Sequence, residues 1–188
     1  DQLVATSQGV LIWLALLQWL GGVGIIVMAL AVLPMLSIGG MQLFKTESYE
    51  TPDKVVPKAA SFAAGISMVY ISLTTLWALM LWIAGMPIFD SIAHAMTTIA
   101  TGGYSTKSES LAAFGSSSIE IIIIFGMLVG SLPFVRYLSI SRNGFKNLIK
   151  DDQVKLFLTI IILVVFVISI YLSFQNVPYL DALRLASF

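Results

Sequence analysis

The chemistry in this sequence is concentrated in AHAMTTIATGGYSTK, residues 93–107. The stretch gathers the only histidine, His94, with several hydroxyl side chains around Thr101-Gly102-Gly103-Tyr104. None of this resembles a hydrolytic centre. No inward-facing Asp pair, Ser/His pair or HExxH motif is present, which argues against an intramembrane enzyme. What the stretch offers is main-chain oxygen. Glycines at 102 and 103 let successive carbonyls turn toward one axis. Strands of this kind meeting on an axis replace an ion's hydration shell. Oxygen-only ligands, with no Cys and no clustered His, suit a hard alkali cation better than zinc. The plainer reading of the glycine pair is a helix C-cap and tight turn.

The elements around the stretch belong in a bilayer. The chain has 188 residues, 58% of them hydrophobic and 11% charged, against about 25% charged in a soluble domain. A net charge of zero without a basic stripe argues against nucleic-acid binding. Four segments have the length and apolar character of spanning helices: about Gln8 to Leu36, Ala59 to Ala84, Ser118 to Leu138, and Leu156 to Phe174. Trp13, Trp77, Trp82 and Tyr171 sit toward the ends facing one side, as an aromatic belt or as core packing. Lys45, Lys54, Lys58, Arg136, Arg142, Lys146, Lys150 and Lys155 face Lys107 and Arg184. This asymmetry predicts cytoplasmic loops at 37–58 and 139–155.

Pro87 to Ala100 is too short to cross: some 14 residues reach about 20 Å. Its neighbours must run in opposite directions, so it enters and returns on one face. Pro87 suits the helix entry, Asp90 an N-cap, and the glycine pair the stop. Its inward C-terminus favours a cation.

The same helix start occurs twice. GMPIFDSIAHAM (85–96) aligns without gaps to NVPYLDALRLAS (176–187), pairing Pro87 with Pro178, Asp90 with Asp181 and Ala95 with Ala186. The predicted unit is helix, short re-entrant helix, loop, helix, with a period of about 90 residues. Residues 1–58 then hold the closing helix of a first unit plus a loop. Residues 59–155 hold a complete second unit plus a loop, and residues 156–188 the start of a third. The chain starts at Asp1 without methionine and stops inside a helical pattern, as a piece of a longer protein does.

Individual residues carry competing readings. His94 serves packing and hydrogen bonding, or ion coupling. Glu120 is a solvated helix end, or an acid that concentrates cations at the mouth. Asp90 and Asp181, at matching helix starts, read as N-caps rather than ion ligands. Gln18 reads as an interhelical hydrogen bond, and Gly21-Gly22-Val23-Gly24 as close helix packing rather than a dinucleotide fingerprint. Pro34 and Pro133 bend or end their helices.

ATGGYS after a short helix resembles the second filter of the TrkH/TrkG/KtrB potassium-uptake family, related to the Trk/HKT transporters. LLQWLGGVGIIVMALAVLPML followed by GGMQLFKTES is similar to its bacterial TrkH branch. The resemblance covers nearly the whole chain. It implies an all-α polytopic membrane protein of helix–re-entrant pore helix–helix repeats, about two of four units being present. Gly103 before Tyr104 matches the family's filter glycine, with Thr101 and Gly102 supplying neighbouring carbonyls. The implied function is potassium uptake across the bacterial inner membrane, passive or as symport, with no cofactor besides the transported ion. The implied assembly is a homodimer with a cytoplasmic nucleotide-binding regulatory subunit. The gating loop of the third unit and the basic residue of the fourth are not matched in this chain. The alternative is a secondary transporter with re-entrant hairpins for another small solute. That class needs inward helix N-termini, whereas here the inward end is a C-terminus.

Overall fold

The structure, a computed structural model, describes residues 6–32, 55–134, 136–138 and 151–188. Its elements are α1 (Gln8–Val32), α2 (Val55–Ile83), α3 (Ile88–Ile99), a 3₁₀ helix (Ser110–Phe114), α4 (Ser117–Ser131), α5 (Asp152–Phe174) and α6 (Tyr179–Ser187). No strand occurs among the described residues. The fold is all-α and of membrane type. Segments of α1, α2 and α5 (Gln8–Ile25, Ala63–Ile83 and Asp152–Phe174) are long and apolar enough to cross a bilayer.

The expected third span, Ser118 to Leu138, is not continuous. Helix α4 stops at Ser131, and Leu132 takes an extended conformation (ψ 149°) before Pro133. The residue ahead of a proline is pushed out of the helical region, so Pro133 ends the helix. Fifteen residues reach about 23 Å, short of a bilayer core of about 30 Å. The helical residues beyond Pro133 pack against α2, with the Phe134 ring 5.4 Å from that of Tyr70.

Helix α3 is the centre of the packing, in contact with α1, α2 and α4. Asp90, Ser91 and every residue from Ala93 to Ile99 are buried. The core around it includes Tyr70, Trp77, Leu81, Met86, Ile119 and Ile123. Trp77 is therefore core rather than belt. Its indole donates to the Ile122 carbonyl at 2.9 Å, while Trp13, Trp82 and Tyr171 are exposed.

The junctions α2–α3 and α5–α6 have the same geometry 91 residues apart. Gly85 N–H bonds to Trp82 O and Met86 N–H to Leu81 O; Asn176 N–H bonds to Ser173 O and Val177 N–H to Leu172 O. Both are Schellman caps, with Gly85 (φ 99°) and Asn176 (φ 64°) as the left-handed residues. Pro87 and Pro178 follow, each with φ −54°.

Neither Asp90 nor Asp181 is an N-cap, because neither helix start has a side-chain capping bond. Asp181 is exposed and pairs with Arg184 at 3.4 Å. The carboxylate that does cap is Asp151, which accepts from Gln153 N–H and Val154 N–H at the start of α5. Lys45, Lys54, Arg142, Lys146, Lys150 and Pro34 lie outside the described residues.

Candidate ion-coordinating loop

Residues after α3 retrace the helix. Thr97 Oγ1 donates to the Tyr104 carbonyl at 2.9 Å. His94 Nε2 meets Ser105 Oγ at 3.0 Å. Thr106 Oγ1 donates to Asp90 Oδ1 at 2.5 Å, and Lys107 Nζ lies 3.4 Å from Asp90 Oδ2. Positions 90, 94 and 97 share one helix face by their i, i+4, i+7 spacing. Seven residues of helix and three of extended chain each advance about 10 Å, so the rungs stay in step. These contacts confirm from within the chain that 101–107 returns toward the end where α3 began.

Each rung is satisfied at both ends. His94 Nδ1–H donates to the Asp90 carbonyl at 2.8 Å, which leaves Nε2 to accept from the Ser105 hydroxyl. Ser105 Oγ also accepts from Lys107 N–H, and the Phe114 ring stands edge-on to the imidazole at 5.5 Å. A Ser/His pair, expected to be absent, therefore does exist here, with the Asp90 main-chain carbonyl rather than a carboxylate behind the imidazole; His94 packs and hydrogen-bonds, as the plainer reading has it. Asp90 is a buried strap for the return strand.

Helix α3 ends in a third Schellman cap, with Gly102 N–H on Thr97 O and Thr101 N–H on Thr98 O. The left-handed residue here is Thr101, at φ 53°, not a glycine. The two glycines answer separate demands. Gly103 has φ 70°, and nothing stands within 4 Å of where its Cβ would be; it is needed for conformation. Gly102 has no positive φ, but a Cβ there would run into the Gln18 amide, 2.7 Å from Cδ. It is needed for space.

The four carbonyls differ. Gly102 O accepts from Gln18 Nε2 at 3.3 Å, and Tyr104 O from Thr97. Thr101 O and Gly103 O accept no hydrogen bond among the described residues. Thr101, Gly102 and Gly103 are exposed and Tyr104 is half-buried. A cavity of about 220 Å³ flanks the strand on the α4 side, against Ile123 and Met127. No cluster of three His, Cys, Asp or Glu side chains that could hold a metal occurs among the described residues.

Three supports were not anticipated. Gln18 bonds to the loop rather than to another helix. Gly126 and Gly130 of α4 receive α3: a Cβ at 126 would lie 2.6 Å from Thr98 Cγ2, and one at 130 would lie 3.0 Å from the Ile99 carbonyl oxygen. Their G-x-x-x-G spacing was the available signal. Glu120 is neither a fully solvated helix end nor a free acid at the mouth; partly exposed, it pairs with Arg184 at 3.2 Å. Among the described residues, Gly22 makes the expected close approach, to Tyr70 and Ala100, and Gly21 and Gly24 make none.

Comparison with known proteins agrees with this architecture. The chain is 38% identical over 184 residues to the Trk system potassium uptake protein TrkI of Halomonas elongata, covering 97% of the chain and 37% of that protein. It is 37% identical to the Trk system potassium uptake protein TrkH of Salmonella typhimurium, covering 90% of the chain and 36% of that protein. It superposes on the crystal structure of the potassium transporter TrkH from Vibrio parahaemolyticus with a TM-score of 0.82 at 32% identity, covering 97% of the chain and 37% of that structure. The chain thus spans a little over a third of the length of these transport proteins. Residues 1–183 match the family described as TrkH, cation transport protein. The chain belongs to the TrkH family of cation transport proteins.

Proposed function

We propose that this chain is part of a multi-pass potassium uptake protein of the bacterial inner membrane, and that Thr101, Gly102, Gly103 and Tyr104 lend it main-chain oxygens that coordinate the ion. The observation that carries the reading is the exposure of this irregular stretch, with two carbonyls open among the described residues, beside a largely buried helix too short to cross. Unpaired backbone is not tolerated against lipid, so at membrane depth the strand must face water, an ion or more protein. A peptide oxygen has two lone pairs, so Gly102 O and Tyr104 O keep one each for an ion while fixed from behind. The C-terminal dipole of α3 adds negative potential at the loop. Binding and passage need no covalent step, so no enzymatic chemistry is assigned.

In the domain arrangement we infer, residues 1–58 close one unit, 59–155 form the next and 156–188 open a third. The repeated Schellman caps support this division. The proposed partners are a second copy of the whole protein and a nucleotide-binding regulatory subunit on the cytoplasmic side.

The test is Gly103→Ser in the full-length protein, expressed in bacteria lacking other potassium uptake. A serine at positive φ costs about 1–2 kcal/mol, and a roughly tenfold fall in rubidium-over-sodium uptake is expected if that strain reaches the ion site. An unchanged ratio at normal membrane abundance rejects the assignment.

A further inference from the structure

Gln18 stands in an otherwise apolar part of α1 and contacts the loop from 84 residues away. Its amide lies across Gly102. Nε2 donates to the Gly102 carbonyl at 3.3 Å, and Cδ and Oε1 occupy the space a Cβ at 102 would need. Oε1 itself is buried with no hydrogen-bond partner among the described residues.

An unpaired buried acceptor is destabilising. A leucine of similar volume would therefore serve the packing of α1 at least as well. What the amide adds is the bond its nitrogen makes. That bond holds one carbonyl of a stretch whose two neighbouring carbonyls, Thr101 O and Gly103 O, accept no hydrogen bond among the described residues. The Gly102 N–H, bonded to Thr97 O, belongs to the preceding peptide unit, so among the described residues the unit that carries the Gly102 carbonyl has no other hydrogen bond.

We propose that Gln18 is a positioning residue for ion selection: its amide fixes the orientation of the Gly102 carbonyl, and Gly102 lacks a side chain so that the amide can reach it. The proposal rests on the reading of Thr101 to Tyr104 as ion-coordinating. It adds that a helix from a separate part of the chain sets the geometry of that strand.

The two residues form one device, so their variants must not add. Gln18→Leu removes the donor. Gly102→Ala keeps an allowed backbone, since its φ is not positive, but its methyl displaces the flexible amide and breaks the same bond. Each is expected to lower the rubidium-over-sodium uptake ratio of the full-length protein about three- to tenfold, the size of one hydrogen bond. The double variant is expected to match the singles.

Membrane abundance is measured alongside, and Gly102→Ala leaves the α1 surface untouched should Gln18→Leu insert poorly. Selectivity unchanged in Gly102→Ala, or losses that multiply in the double variant, overturns the proposal. Gly103→Ser separates the two readings. If it alters selectivity while the Gln18 and Gly102 variants do not, the strand coordinates ions and the amide is not its guide. If none of them alters selectivity, both readings fall.

Discussion

At the scale of single residues, the loop is held in a conformation its side chains do not favour. Thr101 is β-branched and left-handed, a combination that sterics penalise by about 1–2 kcal/mol. It persists because the Schellman bonds, the Thr101 hydroxyl on Ala100 O at 2.8 Å and the strand beyond over-determine it. Thr101→Gly removes the penalty and restores some unfolded-state entropy, about 0.5–1 kcal/mol in the opposite direction. The expected result is a melting midpoint about 1–3 °C higher for the detergent-solubilised protein; a lower midpoint refutes the strain argument. Both glycines were expected to serve conformation, and only the fold singles out Gly103, at φ 70°, as the one that does. The role of Gly102 was not legible, since the atom that needs its space sits on another helix. Asp90 misled for a related reason. A carboxylate in a first helical turn usually serves the helix, and only the fold brings Thr106 and Lys107 back to it.

At the scale of elements, length and apolar runs were enough to place α1, α2 and α5, because a bilayer demands a minimum span and little else. Ends were less readable. The cap at Asp151 depends on φ and ψ at a single residue, and the break at Leu132 depends on the proline beside it. How α4 meets α3 turns on two glycines. A methyl at Gly130 meets the Ile99 and Thr98 carbonyl oxygens at 3.0–3.1 Å. Backbone cannot swing aside as a side chain does, so Gly130→Ala should cost about 1–3 kcal/mol through overpacking. Gly21→Ala on α1 is the control. Nothing among the described residues lies within 4 Å of that position, and alanine in a helix gains about 0.5–1 kcal/mol over glycine. Thermal melts of the two variants should move in opposite directions; the same direction for both contradicts the packing described.

At the scale of the whole molecule, the repeat was readable from Pro87/Pro178 and Asp90/Asp181, and the fold adds matched caps. What ties one copy to the next was not readable, because it depends on residues far apart in sequence. Arg184 of α6 donates to Ser117 Oγ at 2.6 Å and pairs with Glu120 of α4 at 3.2 Å. Both ions are partly exposed, so a double-mutant cycle of Arg184→Ala with Glu120→Ala should give a coupling of about 0.2–1 kcal/mol, falling as salt is raised. Zero coupling at low salt removes the tie. The rungs that bind the return strand to α3 have a further consequence. Ninety-one residues on, His94 becomes Leu185 and Thr97 becomes Phe188, both exposed. Neither can repeat the bonds to a serine hydroxyl or a tyrosine carbonyl, and the matching Asp181 is exposed and pairs with Arg184 instead. If such copies line a conduit, as proposed above, it is symmetric in outline alone: a dehydrated ion inside it would meet walls of unequal stiffness, firmest on the side that His94 and Thr97 brace.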